Sequence, residues 1–296
     1  MEVTFFGVRG SIASPGVRTA AVGGNTSTVE VLAGGRRLVL DAGTGLRDLG
    51  QRLAARGEAQ DLTLLLSHYH WDHIQGLPFF APLYQPSTRL EIVGQRCGLH
   101  GVREALEHQM TAPVFPVRLS EVPATLAPRE VAPGDAFSVG DVRVRVVGGN
   151  HPGGVLAYRL DLGDVSLVYA TDTEHGAGVD PELRALAEGA TLLIYDAQYT
   201  VDEYAGVGGR PQRVGWGHST NVAAAELARA AGVSSLALFH HDPARDDVGV
   251  LALEAATRAL FPATFAAREG MVLRLGGEGA PGSAVRGAVQ RVSEAA

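Results

Sequence analysis

Apolar residues along this chain fall into short runs punctuated by Gly, Asp and Asn. Residues 2–6, 27–33, 36–41 and 61–66 read as strands, since β-branched and aliphatic residues fill runs of strand length there. Between the third and fourth, Leu46–Arg56 repeats leucine at helical spacing and predicts a helix. A second helix is expected at 99–109. The proline-rich stretch Thr111–Pro133 predicts a loop covering the site. The second half predicts strands at 142–147, 155–161, 165–170, 191–195 and 235–239, helices at about 181–188, 221–231 and 247–260, and a closing strand near Met271–Leu275. Strands followed by helices, in two sheet-rich halves, predict an α/β protein with a four-layer αβ/βα sandwich. We expect a single domain over 1–275. The segment 276–296, rich in Gly, Ala and Ser, predicts a flexible tail.

The chemistry concentrates where one of these strands ends. His68-Tyr69-His70-Trp71-Asp72-His73 follows the apolar run Leu62–Leu66. Three imidazoles and a carboxylate within six residues suit a borderline divalent cation such as zinc. Single candidates stand after later strands: His151 after Val142–Val147, Asp172 after Val165–Ala170, and His240 after Leu236–Phe239. Loops at strand ends are where open sheets carry their chemistry. His241 competes with His240, because adjacent strand residues face opposite ways. The position directly after the strand favours His240.

The HxHxDH run, followed by a lone His, a lone Asp and a lone His, resembles the metallo-β-lactamase superfamily over roughly residues 1–275. The resemblance implies that His68, His70 and His151 hold one metal, that Asp72, His73 and His240 hold a second, and that Asp172 bridges both. It implies two divalent ions, zinc first, with manganese and iron as alternatives. Asp41, in Asp41-Ala42-Gly43-Thr44-Gly45, resembles the turn such hydrolases place behind a ligand histidine. Gly215-Trp216-Gly217-His218-Ser219-Thr220 looks like the His-Ser-Thr motif of the ribonuclease Z and phosphodiesterase branch. By that likeness Asp196 holds His218, and His218 serves the leaving oxygen, with Asp72 also near the chemistry. Asn25, in Gly23-Gly24-Asn25, resembles a loop approaching the metals. The aromatics Phe79, Phe80 and Trp216 are either core or a stacking surface for a nucleobase. Ser219 or Thr220 is also placed to cap the helix that follows.

Composition narrows the substrate. With 296 residues and 46% hydrophobic content, the chain suffices for one large core. No run of 18 apolar residues suggests a membrane span. The N-terminus reads as a strand and not as a leader, and the lone cysteine, Cys97, rules out an internal disulfide; together they predict a cytoplasmic location. Net charge is −7, with scattered arginines and no basic run, whereas a long nucleic acid asks for a basic patch. No long insertion separates Asp172 from Asp196, so nothing matches the protruding arm with which ribonuclease Z holds transfer RNA. The expected activity is hydrolysis of a small or cyclic phosphodiester by metal-activated water. The alternatives are a ribonuclease Z-like nuclease, a lactone or thioester hydrolase, and a non-catalytic metal-binding protein. Relatives implied by the resemblance commonly form dimers, so a homodimer is expected.

Overall fold

Two mixed β-sheets face each other across an apolar core in the computed structural model, which describes residues 1–276 and 289–294. The first half of the chain builds β1 (Glu2–Gly7), β2 (Thr28–Ala33), β3 (Arg36–Leu40), α1 (Leu46–Ala55), β4 (Asp61–Leu65), α2 (Trp71–Ile74), β5 (Arg89–Gly94), α3 (Val102–Glu107) and β6 (Thr125–Glu130). The second builds β7 (Ala136–Val139), β8 (Val142–Gly149), β9 (Val155–Leu162), β10 (Val165–Ala170), α4 (Pro181–Ala187), β11 (Leu192–Asp196), α5 (Val201–Ala205), α6 (Asn221–Ala231), β12 (Leu236–Phe239), α7 (Asp247–Leu260) and β13 (Thr264–Ala266). The chain then returns to the first sheet as β14 (Met271–Leu275) and β15 (Val289–Glu294).

The first sheet runs β15-β14-β1-β2-β3-β4-β5-β6 and the second β13-β12-β11-β10-β9-β8-β7. Val3, Phe5, Val29, Val31 and Leu38 of the first meet Val144, Tyr158, Leu160, Tyr169 and Phe239 of the second. The outer face of the first sheet packs Val39, Leu62 and Leu64 against Leu46, Leu49 and Leu53 of α1. The outer face of the second packs Val168, Leu193 and Leu238 against Leu183 and Leu186 of α4 and Leu227 of α6. The result is the four-layer αβ/βα sandwich. Strand patterning follows position: β8 alternates buried Val142 and Val144 with the more exposed Arg143 and Arg145, while β11, covered on both faces, is buried throughout.

Two expectations change. Thr111–Pro133 is not one loop, because Thr125–Glu130 pairs in parallel with β5. Its proline, Pro128, is tolerated because β6 is the last strand of its sheet, where one side needs no N–H. The tail expected over 276–296 contains β15, paired antiparallel with β14. Positions 277–288 and 295–296 of that expectation lie outside the described residues. Strands β5, β7 and β13 were not expected either. Among the described residues no helix is long and apolar enough to cross a membrane.

Strands β3 and β4 are parallel, as are β10, β11 and β12. Their C-terminal ends therefore open together, and the next residues are Asp41, Leu66-Ser67-His68, Thr171-Asp172, Ala197-Gln198 and His240.

Candidate metal centre

Four non-glycine residues among those described have a positive φ: Ser11 (62°), Asp41 (60°), Asp172 (52°) and His240 (58°). The left-handed region is costly for a side chain, on the order of 1–3 kcal/mol each, and such residues gather at functional sites. Asp41, Asp172 and His240 come directly or almost directly after β3, β10 and β12. All three contribute to one buried cluster, and Ser11 donates its backbone N–H to Asp72 Oδ2 at 2.7 Å within it.

The cluster has two lobes. His68, His70 and His151 offer ring nitrogens to one centre, with His151 Nε2 2.9 Å from His70 Nδ1. Asp72, His73, Asp172 and His240 face a second. There, His73 Nε2 lies 3.2 Å from both Asp72 Oδ2 and Asp172 Oδ2, and His240 Nε2 lies 3.2 Å from Asp72 Oδ2 and Asp172 Oδ1. Ligands about 2.0–2.2 Å from one tetrahedral ion stand roughly 3.3 Å from each other. His73 Nε2 is buried and makes no hydrogen bond despite these two carboxylates, which is the geometry of donors converging on a third body. His68 Nε2 is likewise buried and unpartnered, 3.9 Å from Asp172 Oδ1. The donor set fits two divalent cations, with Asp172 reaching both lobes.

Four of the five rings, all but that of His70, are fixed from behind. Asp41 Oδ2 takes the proton of His73 Nδ1 at 2.8 Å and is itself held by Ser67 Oγ at 2.8 Å and Tyr169 OH at 2.6 Å. The Gly217 carbonyl meets His151 Nδ1 at 2.9 Å, Gln198 Oε1 meets His240 Nδ1 at 2.9 Å, and Ser67 Oγ lies 3.1 Å from His68 Nδ1. Partners on Nδ1 turn Nε2 inward and favour the tautomer that a metal needs.

The two lobes differ electrostatically. Burial holds the pKa of His68, His70 and His151 below the usual imidazole value, so these three are neutral donors. At His73 burial acts in the same sense, but Asp172, Asp72 and Asp41 outweigh it and raise the pKa well above normal. Burial would raise the Asp172 carboxyl, yet His240 and His73 hold it well below the carboxylate range. A pocket of carboxylates that favours cationic histidine would favour a divalent cation more.

His218 and Asp196 adjoin this centre. Asp196 Oδ2 accepts from His218 Nδ1 at 2.8 Å and from the Asp172 backbone at 3.1 Å, while Oδ1 accepts from the backbones of Gln198 and Ser219, each at 3.1 Å. Asp196, His218, Asp172 and His240 lie close enough to form a third candidate group. Asp196 is saturated by these four donors, so it serves as an anchor. Among the described residues no group bonds His218 Nε2. Burial would lower the His218 pKa, but Asp196, by charge and hydrogen bond, with Asp172 and Asp72, raises it to about 9.

Other expected residues are placed differently. His240 faces the centre, whereas His241 Nε2 bonds Ala267 O at 2.9 Å in the core behind it; the chain leaves β12 after Phe239 and turns at His240, and among the described residues the His241 side chain bonds no candidate ligand. Asn25 is not at the metals either. Its amide and backbone N–H bind Glu269, and its Oδ1 accepts from Thr44 Oγ1 at 3.0 Å, which ties two loops together. Phe80 is core, while Phe79 is exposed and packs edge-on to Phe115. Thr220 caps α6 through Ala223 N, and Ser219 Oγ donates to Thr173 O.

Three supporting residues were not anticipated. Gln198 and Ser67 orient ligands, as described. Glu174 accepts from Tyr204 OH (2.6 Å), Gly215 N (2.7 Å) and Gly217 N (2.9 Å). It thereby clamps the loop that precedes His218 and orients His151. Gly217 has φ +83°, and a Cβ there would overlap His151 Nδ1, so glycine is needed on both counts.

A family model described as a β-lactamase superfamily domain matches residues 36–241, a span that holds every candidate ligand. The chain belongs to the metallo-β-lactamase superfamily. A protein named ribonuclease Z from Mycobacterium sp. (strain KMS) is 31% identical over 259 residues, covering 82% of this chain and 85% of its own. The metallo-β-lactamase fold protein YhfI from Bacillus subtilis superposes with a TM-score of 0.67 at 22% identity, over 92% of this chain and 97% of that one. A diphosphatase of the PhnP family gives a TM-score of 0.67 at 18% identity, with the same coverages. These last two establish the fold; the superfamily and its ribonuclease Z relative make the chain a metal-dependent hydrolase.

Proposed function

We propose that this metallo-β-lactamase-fold hydrolase cleaves a small phosphodiester, a cyclic phosphate or cyclic nucleotide, with His218 as the acid for the leaving oxygen. The observation that carries this reading is the Asp196–His218 pair set against the ligand cluster, the His218 ring 4.9 Å from that of His240 and 5.4 Å from that of His151. A thioester, whose thiolate can leave without a proton, has less need of such an acid.

Two divalent cations at the centre, zinc first with manganese or iron as alternatives, would supply Lewis acidity and lower the pKa of water. His68, His70 and His151 would hold one; Asp72, His73 and His240 the other; Asp172 both. The chain's own residues do the rest. Asp41 and Gln198 keep His73 and His240 in the tautomer that presents Nε2. Asp196 keeps His218 protonated, so that its free Nε2 can give a proton to an alkoxide as the P–O bond breaks. Its second oxygen ties that acid to the backbone of Asp172, so acid and ligands hold one geometry.

Small substrates are favoured by the net charge of −7 and by the direct passage from β10 to β11, which carries α4 and no arm. RNA processing is the second reading, supported by the name of the Mycobacterium relative. The test is one panel on protein of measured metal content: bis(p-nitrophenyl) phosphate, 2′,3′- and 3′,5′-cyclic nucleotides, and a precursor transfer RNA. Cyclic-nucleotide turnover without RNA cleavage supports the first reading and the reverse supports the second. No phosphodiester turnover at full metal loading would sink both.

A further inference from the structure

We propose that Trp216 and Arg213 form a stacking subsite for the nucleobase of a nucleotide substrate. This rests on the phosphodiesterase reading above and names its substrate class. Trp216 is 50% exposed, although it stands two residues before the buried His218. The Arg213 guanidinium lies 4.4 Å from the Trp216 ring and 5.5 Å from the Tyr199 ring, and Tyr199 in turn meets the His218 ring edge-on at 6.0 Å. The indole is therefore one end of a continuous row that ends at the proposed acid. One of its faces is packed by a cation, which polarises and orients it.

The indole is also held in place from the backbone. Trp216 N donates to Arg213 O at 3.1 Å, which closes a turn, and Arg213 N donates to Tyr204 O at 3.0 Å. On either side of Trp216, the N–H groups of Gly215 and Gly217 bind the single carboxylate of Glu174. An exposed aromatic on a loop held this firmly needs little ordering when a ligand stacks on it. A nucleobase is the matching chemistry: it is flat, tolerates any in-plane orientation, and accompanies an anion. Among the described residues no carboxylate pairs with Arg213. A cavity of about 270 Å³ beside it is bordered by Arg210 and Arg245 and also by Glu203 and Asp242, with Arg245 paired to Glu203, so with Arg213 its arginines outnumber its carboxylates by one in a chain that is acidic overall.

The experiment compares wild type, Trp216→Ala and Trp216→Phe on a 3′,5′-cyclic nucleotide and on a ribose cyclic phosphate without a base. In parallel, AMP and ribose 5-phosphate are titrated by fluorescence, with the Ala variant reporting Trp71 alone. For Trp216→Ala we expect KM for the nucleotide to rise about 5- to 150-fold, equivalent to roughly 1–3 kcal/mol of stacking at 1.4 kcal/mol per tenfold change. The Phe variant should recover most of this, and the base-free substrate should be unaffected. AMP should quench the wild type where ribose 5-phosphate does not. Equal losses on both substrates, or AMP affinity unchanged in the Ala variant, would overturn the subsite. AMP binding through Trp216 in a protein that hydrolyses no phosphodiester would keep the subsite and reject the proposed activity.

Discussion

The His218 ring lies stacked on that of His240, with centroids 4.9 Å apart and planes 21° from parallel. One is a candidate ligand with both nitrogens engaged, the other a candidate acid whose Nε2 has no partner among the described residues. The contact lets chemistry be separated from metal binding. Replacing His218 by Ala should leave metal content unchanged and cut phosphodiester turnover by roughly 10²–10⁴. Elemental analysis beside steady-state kinetics checks this, and a loss of metal would move His218 among the ligands.

Asp196 sets the charge of that acid. The active form is protonated, and its pKa is raised to about 9 by Asp196 against the opposing effect of burial. Activity that needs the proton is present below the pKa and lost as pH rises through it. Asp196→Asn keeps an acceptor for His218 and removes the charge, so the basic limb of kcat/KM should move to lower pH. An unchanged limb would assign it to another group.

How much of this was readable beforehand depends on what carries each feature. His68-Tyr69-His70-Trp71-Asp72-His73 stands out because a ligand cluster after a buried strand is a local pattern. The fixing of its rings is not local. Gln198 serves His240 from 42 positions away, and nothing about a glutamine after β11 announces it. Glu174 acts on backbone N–H groups 41 and 43 residues later, which leave no side-chain trace. Pro128 misled because proline argues against a strand until its place at a sheet edge is known. Position after the strand favoured His240 over His241, and the left-handed turn at His240 is what sends the two rings apart.

That turn makes an acid-stability test. His241 is fully buried, and burial, with Arg9 and Arg245 nearby, outweighs its bond to Ala267 O and pushes its pKa down to about 3. The folded state keeps it neutral, while the unfolded chain takes up a proton below about 6.5. Folding stability is thus retained above 6.5 and lost as pH falls toward 3, at up to about 1.4 kcal/mol per pH unit. Denaturant unfolding of metal-free protein should show His241→Gln losing about 2 kcal/mol less than wild type between pH 7 and 5. Equal losses would mean His241 is not a neutral core residue. Activity at pH 7 should fall far less in this variant than in His240→Ala.

Glu174 tests whether the loop clamp matters to the metals. One carboxylate accepts three hydrogen bonds, and Gly217, held by one of them, offers its carbonyl to His151. Glu174→Ala frees the loop on both sides of Trp216 and removes the fixed partner of His151 Nδ1. Loss of such a supporting partner typically costs 10–100-fold in metal affinity or activity. Metal titration of the apoprotein should therefore show one weakened site, the one served by His68, His70 and His151. The site served by Asp72, His73 and His240 should be unchanged, because Asp41 and Gln198, not Glu174, orient its histidines. Weakening of both sites equally would mean that the clamp supports the fold as a whole and not one ligand.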